Sequence, residues 1–169
     1  QISPDANTLE VEIFIAAPPE RVFEALTDPK QMAQWWGEKG LYRVTVNEAD
    51  LRVGGKWLSS GVGADGKPFS VDGEYIQIDR PHLLVYTWNP SFAHTVKTTI
   101  RCELVPQNVH GLQPRGPHRV GTGTLVKIRQ DGFAGNLQSA QDHGRGWTQV
   151  LGWLQAFVKV NPVTLVITA

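Results

Sequence analysis

The sequence has no excess charge of either sign: 16 Lys plus Arg stand against 16 Asp plus Glu in 169 residues. A general nucleic-acid binder needs a basic surface to displace counterions, so no nucleic-acid partner is expected. The same balance removes the simplest attraction to an anionic membrane surface. Cysteine is almost absent. Cys102 stands alone and cannot close an internal disulfide, which argues against a disulfide-built secreted scaffold and fits a reducing cytoplasm. No apolar run approaches the roughly 18 residues that a membrane span needs, so no insertion is expected. The opening residues, Gln1-Ile2-Ser3-Pro4-Asp5, lack the basic and apolar regions of a signal peptide. Asn89 is followed by Pro90, so its glycosylation triplet is unusable.

Several chemical signatures are missing as well. His82, His94, His110, His118 and His143 show no H-x₃-H or HExxH spacing, and one cysteine adds no ligand set, so no metal is expected. Gly54-Gly55 lacks the Lys-Ser/Thr of a phosphate-binding loop, and there is no G-x-S-x-G elbow. Cys102 falls on the inward face of a strand and reads as a small apolar residue, since a nucleophilic thiol needs an accessible, electropositive setting. No cofactor is implied.

What the chain does have is length for one domain and a regular order of elements. A chain of this size buries roughly 70% of its unfolded surface, enough for a core and a cavity. Leu9 to Ile15 alternates as a strand. Pro19 suits the first turn of a helix with Val22, Phe23 and Leu26 on its apolar side. Asp28 and Pro29 are an N-cap and first residue for a second short helix, carrying Met32, Trp35 and Trp36 and ended by Gly37. Strands follow at Tyr42 to Glu48, Lys56 to Gly61, Phe69 to Ile78, Leu83 to Trp88, Thr95 to Val105 and Gly123 to Gln130, with Asp65-Gly66 as a hairpin turn. In Thr95 to Val105, Val96, Thr98, Ile100, Cys102 and Leu104 share the inward face, and Lys97, Thr99, Arg101 and Glu103 the outward one. Pro106 to Gly121 reads as a long Gly-, Pro- and His-containing loop. From about Gln138 to Val160, Trp147, Leu151, Leu154 and Val158 recur at helical spacing, with His143 one turn earlier on the same face. Asn161-Pro162 ends that helix, and the apolar tail 161–169 reads as an extra strand or a contact with a second copy, which makes a homodimer one expectation.

One amphipathic helix covering a bent sheet is an α+β architecture, and the gap left beside the helix is a natural pocket. Specific segments sharpen this. Ala17 to Pro29 (APPERVFEALTDP), Gln34-Trp35-Trp36-Gly37, Asp50 to Trp57 (DLRVGGKW), Gly73 to Pro81 (GEYIQIDRP), Leu84 to Trp88 (LVYTW) and Gly146-Trp147 together resemble the START-like, polyketide-cyclase-related (SRPBCC) superfamily. More narrowly, they resemble the branch named for the activator of the heat-shock-protein-90 ATPase. The resemblance runs from about residue 9 to 158 and rests on the order of the motifs. It implies the helix-grip fold, a curved antiparallel sheet wrapped around a long C-terminal helix, over a single domain 1–169 with its core at about 9–160. The loop from Pro106 and the tail depart from the family pattern. So does Gln130, before Asp131-Gly132-Phe133, where the family often has His; a role tied to that His does not carry over.

The resemblance further implies a hydrophobic ligand in a central cavity. The candidate ligand-binding residues are Trp36, Trp57, Glu74, Tyr86, Trp88, Thr98, Ile100, His143, Trp147, Leu151 and Leu154. Trp153 reads as core. Arg101 reads as outward, whereas a bulge at Gly73 leaves the facing of Glu74 open. No catalytic residue is assigned. The leading expectation is a cytoplasmic carrier or sensor for a lipid, polyketide or aromatic compound. An enzyme such as a cyclase, dehydratase or hydrolase is the alternative, weighed lower because acid–base chemistry needs a pair and only His143 and Glu74 offer themselves. A co-chaperone-type stress-response role follows from the family's label alone.

Overall fold

A computed structural model describes residues 1–91, 96–109 and 121–160. The elements run β1 (Thr8–Ile15), α1 (Pro19–Thr27), α2 (Pro29–Trp35), β2 (Gly37–Glu38), β3 (Tyr42–Ala49), β4 (Lys56–Gly63), β5 (Pro68–Asp79), β6 (Leu83–Pro90), β7 (Thr98–Val109), β8 (Gly121–Asp131) and α3 (Leu137–Val160). The strands form one eight-stranded antiparallel sheet in the order β1-β8-β7-β6-β5-β4-β3-β2. It curls into a half-barrel, with α3 lying in the concavity and α1 and α2 closing one end. This is the helix-grip architecture expected from the sequence.

Local signals act where the sequence places them. Asp28 accepts a hydrogen bond from the Lys30 amide at 3.0 Å, and Pro29 follows at the first helical position. Capping satisfies one of the amides that a helix start leaves unpaired. Pro19 opens α1 without a side-chain cap. The turn between β4 and β5 has Gly66 at φ +79°, the left-handed region that glycine enters without strain.

Alternation then sets the concave face. Leu84 on β6 stands opposite Cys102 on β7, which stands opposite Ile128 on β8, which stands opposite Val11 on β1. One register step along, Tyr86, Ile100, Gln130 and Leu9 form a parallel row. From α3, Trp147, Val150, Leu151, Leu154 and Val158 are buried against these rows. Edge strand β1 is tied to the helix by Gln155 Nε2, which donates to the Phe14 carbonyl at 2.7 Å. Thr124 Oγ1, fully buried, donates to the Ala17 carbonyl at 2.7 Å and fixes the chain between β1 and α1.

The structure corrects the strand reading in three places. β7 does not end at Val105: Pro106, Gln107, Asn108 and Val109 pair with Thr124, Gly123, Thr122 and Gly121. Pro106 is tolerated because β6 pairs with β7 only as far as Glu103. The Leu104 amide is the last to turn to that side, bonding the His82 carbonyl at 2.8 Å, so the position two residues on needs no donor there. Val96 precedes β7 and is 55% exposed, not inward. The short strand β2 was not anticipated; it pairs Gly37 and Glu38 with Arg43 and Tyr42. The remainder of the expected loop, at 110–120, and the tail at 161–169 lie outside the described residues, as do His94, His110, Arg115, His118 and Arg119.

Gly73 has a positional role that alternation alone does not reveal. It faces Trp57 across the β4–β5 pair. A Cβ there would stand 1.9 Å from the Thr87 carbonyl oxygen and 2.6 Å from Trp57 Nε1. The strand is packed against its neighbours through this absent side chain, so the Trp57 ring lies directly on the sheet. Gly73→Ala is therefore expected to lower stability by about 2 kcal/mol or more through overpacking. Gly152→Ala, on an exposed helical position with open space around it, is expected to raise stability by up to about 1 kcal/mol. Denaturant midpoints of the two variants check both signs.

Candidate functional site

The sheet is wider than one helix can fill, and a cavity of about 460 Å³ remains between α3, α2 and the strands β3 to β6. Its wall is mainly aromatic. Trp36 comes from the C-cap of α2; Trp57 from β4; Tyr75 from β5; Tyr86 and Trp88 from β6; Trp147 from α3. Their rings touch in a chain. Trp36 meets Trp147 edge-on at 6.2 Å between centroids, Trp147 meets Trp88 at 6.4 Å, and Trp88 meets Trp57 at 5.7 Å. Trp57 meets Tyr86 edge-on at 5.6 Å, and Tyr86 meets Tyr75 at 6.3 Å. Such edge and tilted contacts are the favourable arrangements of aromatic rings. Met32, Phe69, Leu84 and Val150 supply further apolar wall.

Of the expected ligand residues, Trp36, Trp57, Tyr86, Trp88, His143 and Trp147 line this cavity. The others lie elsewhere. Glu74 is exposed on β5, where its amide bonds Thr87 Oγ1 at 2.9 Å. Ile100, Leu151 and Leu154 are fully buried in the core. Thr98 is buried and acts through a neighbour, Gln130. Tyr42, Asn47, Ser59 and Tyr75 line the wall and were not picked out from the sequence. Alternation could have found Tyr75 beside Val71 on β5 and Tyr42 beside Val44 on β3, whereas a bulge between Val44 and Val46 shifts the phase that brings Asn47 to the wall, and Ser59 comes from β4. Trp153 is half-buried on the flank, edge-on to Tyr42 at 5.7 Å. Arg101 points outward to Glu103, with 2.8 Å between Nε and Oε1.

Gln130 organises the helix side of the site. Its side chain is fully buried, donates from Nε2 to Thr98 Oγ1 at 2.8 Å and accepts at Oε1 from Trp147 Nε1 at 2.8 Å. The sequence marked this position only as a departure from the family pattern. A buried amide costs free energy unless its groups are paired, and here both ends are. The bond fixes the plane of Trp147, itself only 5% exposed. His143, one turn earlier, sits between Trp88 and Phe133, at 6.5 and 5.2 Å between centroids. Its Nδ1 lies 2.8 Å from the Ser139 carbonyl. A carbonyl can only accept, so Nδ1 carries a proton in this hydrogen bond.

The polar groups of the wall are mostly neutral donors. Among the described residues no Lys or Arg lines the cavity; its acidic members are Glu48 and Asp142, both exposed at its edge. Burial, followed by the nearby Asp50 charge, pushes the Tyr75 phenol up to about 12. Burial also raises Tyr86 well above its ordinary value, with Cys102 and Tyr75 adding to it. Burial raises Tyr42 too, against the opposing effect of Trp36 Nε1, which donates to its hydroxyl at 3.2 Å. The Cys102 thiol, in the same wall, is pushed up to about 12 by burial and then by Glu103, which makes it a poor nucleophile. Among the described residues, the ionisable side chains lining the cavity make no hydrogen bond to one another, and no group of His, Cys, Asp and Glu is placed to hold a metal ion.

A second depression, about 1100 Å³ and wider, runs past β1, β7, β8 and α3. It is larger, but its wall is heavily charged. Arg101 is paired with Glu103, and Arg129 with Asp131 and Glu10. Neutralised surface charges of this kind neither bury a ligand nor focus a field, so the aromatic cavity is the candidate site.

Comparison with known proteins agrees with this geometry. A model of the family described as Activator of Hsp90 ATPase homolog 1-like protein matches residues 16–111. A crystal structure of a protein from Chromobacterium violaceum is 26% identical, covers 90% of this chain and 96% of its own, and superposes with a TM-score of 0.69. One from Rhodobacter sphaeroides, 20% identical over 95% of this chain and 99% of its own, has a TM-score of 0.73. One from Mycobacterium smegmatis, 22% identical over 92% and 93%, has 0.72. The last two show likeness of fold alone. No curated protein matches the chain.

Two predictions follow from the buried polar groups. The ordinary values are 9.0 for Cys102 and 10.0 for Tyr75, and both are raised in the folded state. Between the ordinary and raised values the unfolded chain releases protons that the folded chain keeps, so stability falls as pH rises from about 9 to about 12. Cys102→Ala is expected to move the onset of that fall towards pH 10, read from denaturant midpoints at stepped pH. Gln130→Met, of similar volume, strands the Trp147 N–H and is expected to cost about 1–3 kcal/mol. Combining it with Trp147→Phe should cost less than the sum of the two, since the stranded donor is then gone.

Proposed function

The chain belongs to the Activator of Hsp90 ATPase homolog 1-like family, within the START-like (SRPBCC) superfamily, whose members often bind hydrophobic ligands, and on that premise we propose that it binds a small hydrophobic molecule in the cavity beneath α3, as a carrier or sensor. The observation that carries this reading is the aromatic wall itself. A volume of about 460 Å³ falls in the range of small-molecule sites, and apolar lining with few polar groups is their usual composition. Trp36, Trp57, Tyr86, Trp88, His143 and Trp147 are the proposed contact residues. Tyr42 and Tyr75 join them. Glu74 is left out because it is exposed, and Thr98 acts by holding Gln130.

The carrier reading is preferred to an enzyme on the same grounds. Acid–base catalysis requires groups within hydrogen-bond reach of the reacting atoms, with one pKa near neutrality. The wall offers phenols and a thiol displaced upward, away from neutrality, and His143 without a carboxylate partner among the described residues. The buried lone thiol of Cys102 is consistent with a reducing cytoplasm as the setting.

Binding is tested by native mass spectrometry of gently purified protein, with thermal shifts against a panel of lipids, polyketides and polycyclic aromatics. A co-purified molecule, or an apolar compound that raises Tm in a concentration-dependent way, is the expected result. Val150→Phe, projecting from α3 into the cavity, should reduce that stabilisation at least tenfold in ligand concentration while the variant stays folded. Uptake unchanged by this filling would place the ligand elsewhere, and a protein indifferent to the whole panel would sink the reading.

A further inference from the structure

One polar atom at the inner end of the cavity has no partner in the chain and is not sealed by it. Tyr86 lies on β6, with three strands on one side of it and four on the other, and lines the aromatic cavity. Its hydroxyl makes no hydrogen bond among the described residues. The side-chain atoms that are both unpartnered and fully enclosed there are Trp57 Nε1, Trp88 Nε1 and Asn47 Nδ2, and the Tyr86 hydroxyl is not one of them. It therefore keeps accessible surface. Its neighbours on the sheet leave that surface one direction to face. The cross-strand residues Ile100 and Tyr75 are 0% and 6% exposed, and Leu84, two residues back on the same face, is 5% exposed. Tyr86 itself is only half-buried. Outside water does not reach between such neighbours on the concave face, so the free part of Tyr86 opens onto the cavity.

The other polar groups of the wall are placed differently. Tyr42, on the outer strand β3, stands between exposed Leu41 and Arg43, and its hydroxyl accepts from Trp36 Nε1. His143 adjoins exposed Asp142 and is bonded through Nδ1 to the Ser139 carbonyl. Tyr75 feels the charge of exposed Asp50 and so lies nearer the surface than Tyr86 does. A ligand that fills the cavity leaves the rim groups close to outside water and covers Tyr86. A hydroxyl facing an open cavity is served by water, and a ligand that displaces water without replacing its bond loses affinity. The ring draws on the oxygen lone pair of a phenol, which makes it a stronger donor than acceptor. Burial, with Cys102 and Tyr75 adding to it, raises the Tyr86 pKa well above its ordinary value and keeps that proton in place. The matching ligand group is therefore an oxygen acceptor. Among the described residues no Lys or Arg lines the cavity, and a buried carboxylate without a cation is strongly disfavoured, so the acceptor is neutral.

Resting on the hydrophobic-ligand reading above, we propose that Tyr86 is the specificity-determining residue of the cavity: its hydroxyl donates to the carbonyl oxygen of a neutral, otherwise apolar ligand, which enters oxygen end first. The apolar remainder packs against the rings of Trp57, Trp88 and Trp147. A hydrocarbon strands the Tyr86 hydroxyl, and a carboxylate meets no counter-charge.

The test uses a single tricyclic skeleton in three forms: fluorene, 9-fluorenone and fluorene-9-carboxylate, measured by equilibrium dialysis against the whole chain. Fluorenone should bind about tenfold more tightly than fluorene, the scale of one hydrogen bond to an otherwise stranded group. The carboxylate should bind no better than fluorene. In Tyr86→Phe the fluorenone-to-fluorene affinity ratio should fall towards one. The Tm of that variant without ligand should be unchanged or raised, because the deleted oxygen bonds nothing among the described residues. In Tyr42→Phe the ratio should stay as it is in the unmodified protein. The infrared carbonyl stretch of bound fluorenone should lie at lower frequency in the unmodified protein than in Tyr86→Phe. A ratio that survives Tyr86→Phe, or that falls with Tyr42→Phe instead, overturns the assignment to Tyr86. Equal affinity for fluorene and fluorenone overturns it too, and leaves the hydrophobic-ligand reading standing. Tightest binding of the carboxylate overturns the inference in favour of an anion site. Binding of none of the three overturns both.

Discussion

A single buried amide sets the geometry on which the site depends. Gln130 lies on the concave face of β8 in a row otherwise made by Leu9, Ile100 and Tyr86. An unpaired amide in that row would be costly, so the fold is held to an arrangement in which Thr98 and Trp147 reach it together. Hydrophobic contact is non-directional and would let α3 slide or roll over the sheet. The Thr98–Gln130–Trp147 chain is directional. It joins β7, β8 and α3, and it holds the indole of Trp147 as one wall of the cavity instead of letting it fill the space.

The cavity itself follows from counting layers. Eight strands curl around one helix, and the half of the sheet nearest β1 is filled by α3 and α1. The half formed by β3 to β6 has only α2 and the flank of α3 to cover it. Large aromatic side chains reach across that gap from several elements and meet edge to edge, so the wall is continuous while the centre stays open. Gly73 belongs to the same economy of space: a side chain there would collide with Trp57.

The fold was legible in the sequence because its signals are redundant. Alternation in β1, β7 and β8, the Asp28-Pro29 start of α2 and the Trp147-Leu151-Leu154-Val158 stripe each point to the same architecture, and consistency across levels is what specifies a structure. The errors arose where one signal outweighed pairing. Pro106 reads as a strand end, yet an edge position without a donor requirement accepts it. Val96 continues the alternation but precedes the first paired residue, Thr98. The site was legible only in part. Alternation tells which face a residue takes and not how far along the half-barrel it sits, so Ile100, Leu151 and Leu154 share the correct face while lying in the filled half. Asn47 and Tyr75 were missed for the converse reason: ordinary strand residues become wall only because the helix stops short of them.

The tryptophans show most clearly what the sequence withholds. Six of them in one chain mark an aromatic interior, but the residue type is the same whether it packs a core or faces a ligand. The distinction appears when the single hydrogen of each indole is accounted for. Where the chain provides an acceptor, as for Trp35, Trp36 and Trp147, the ring's orientation is a structural commitment and its replacement disturbs folding. Where the chain buries the hydrogen without an acceptor, as for Trp57 and Trp88, stability alone does not explain the residue, because phenylalanine would bury similar surface without a stranded donor. The same two indoles are therefore held through their ring faces and edges, Trp57 on Tyr86 and Trp88, and Trp88 on Trp147, without a hydrogen bond from either N–H among the described residues.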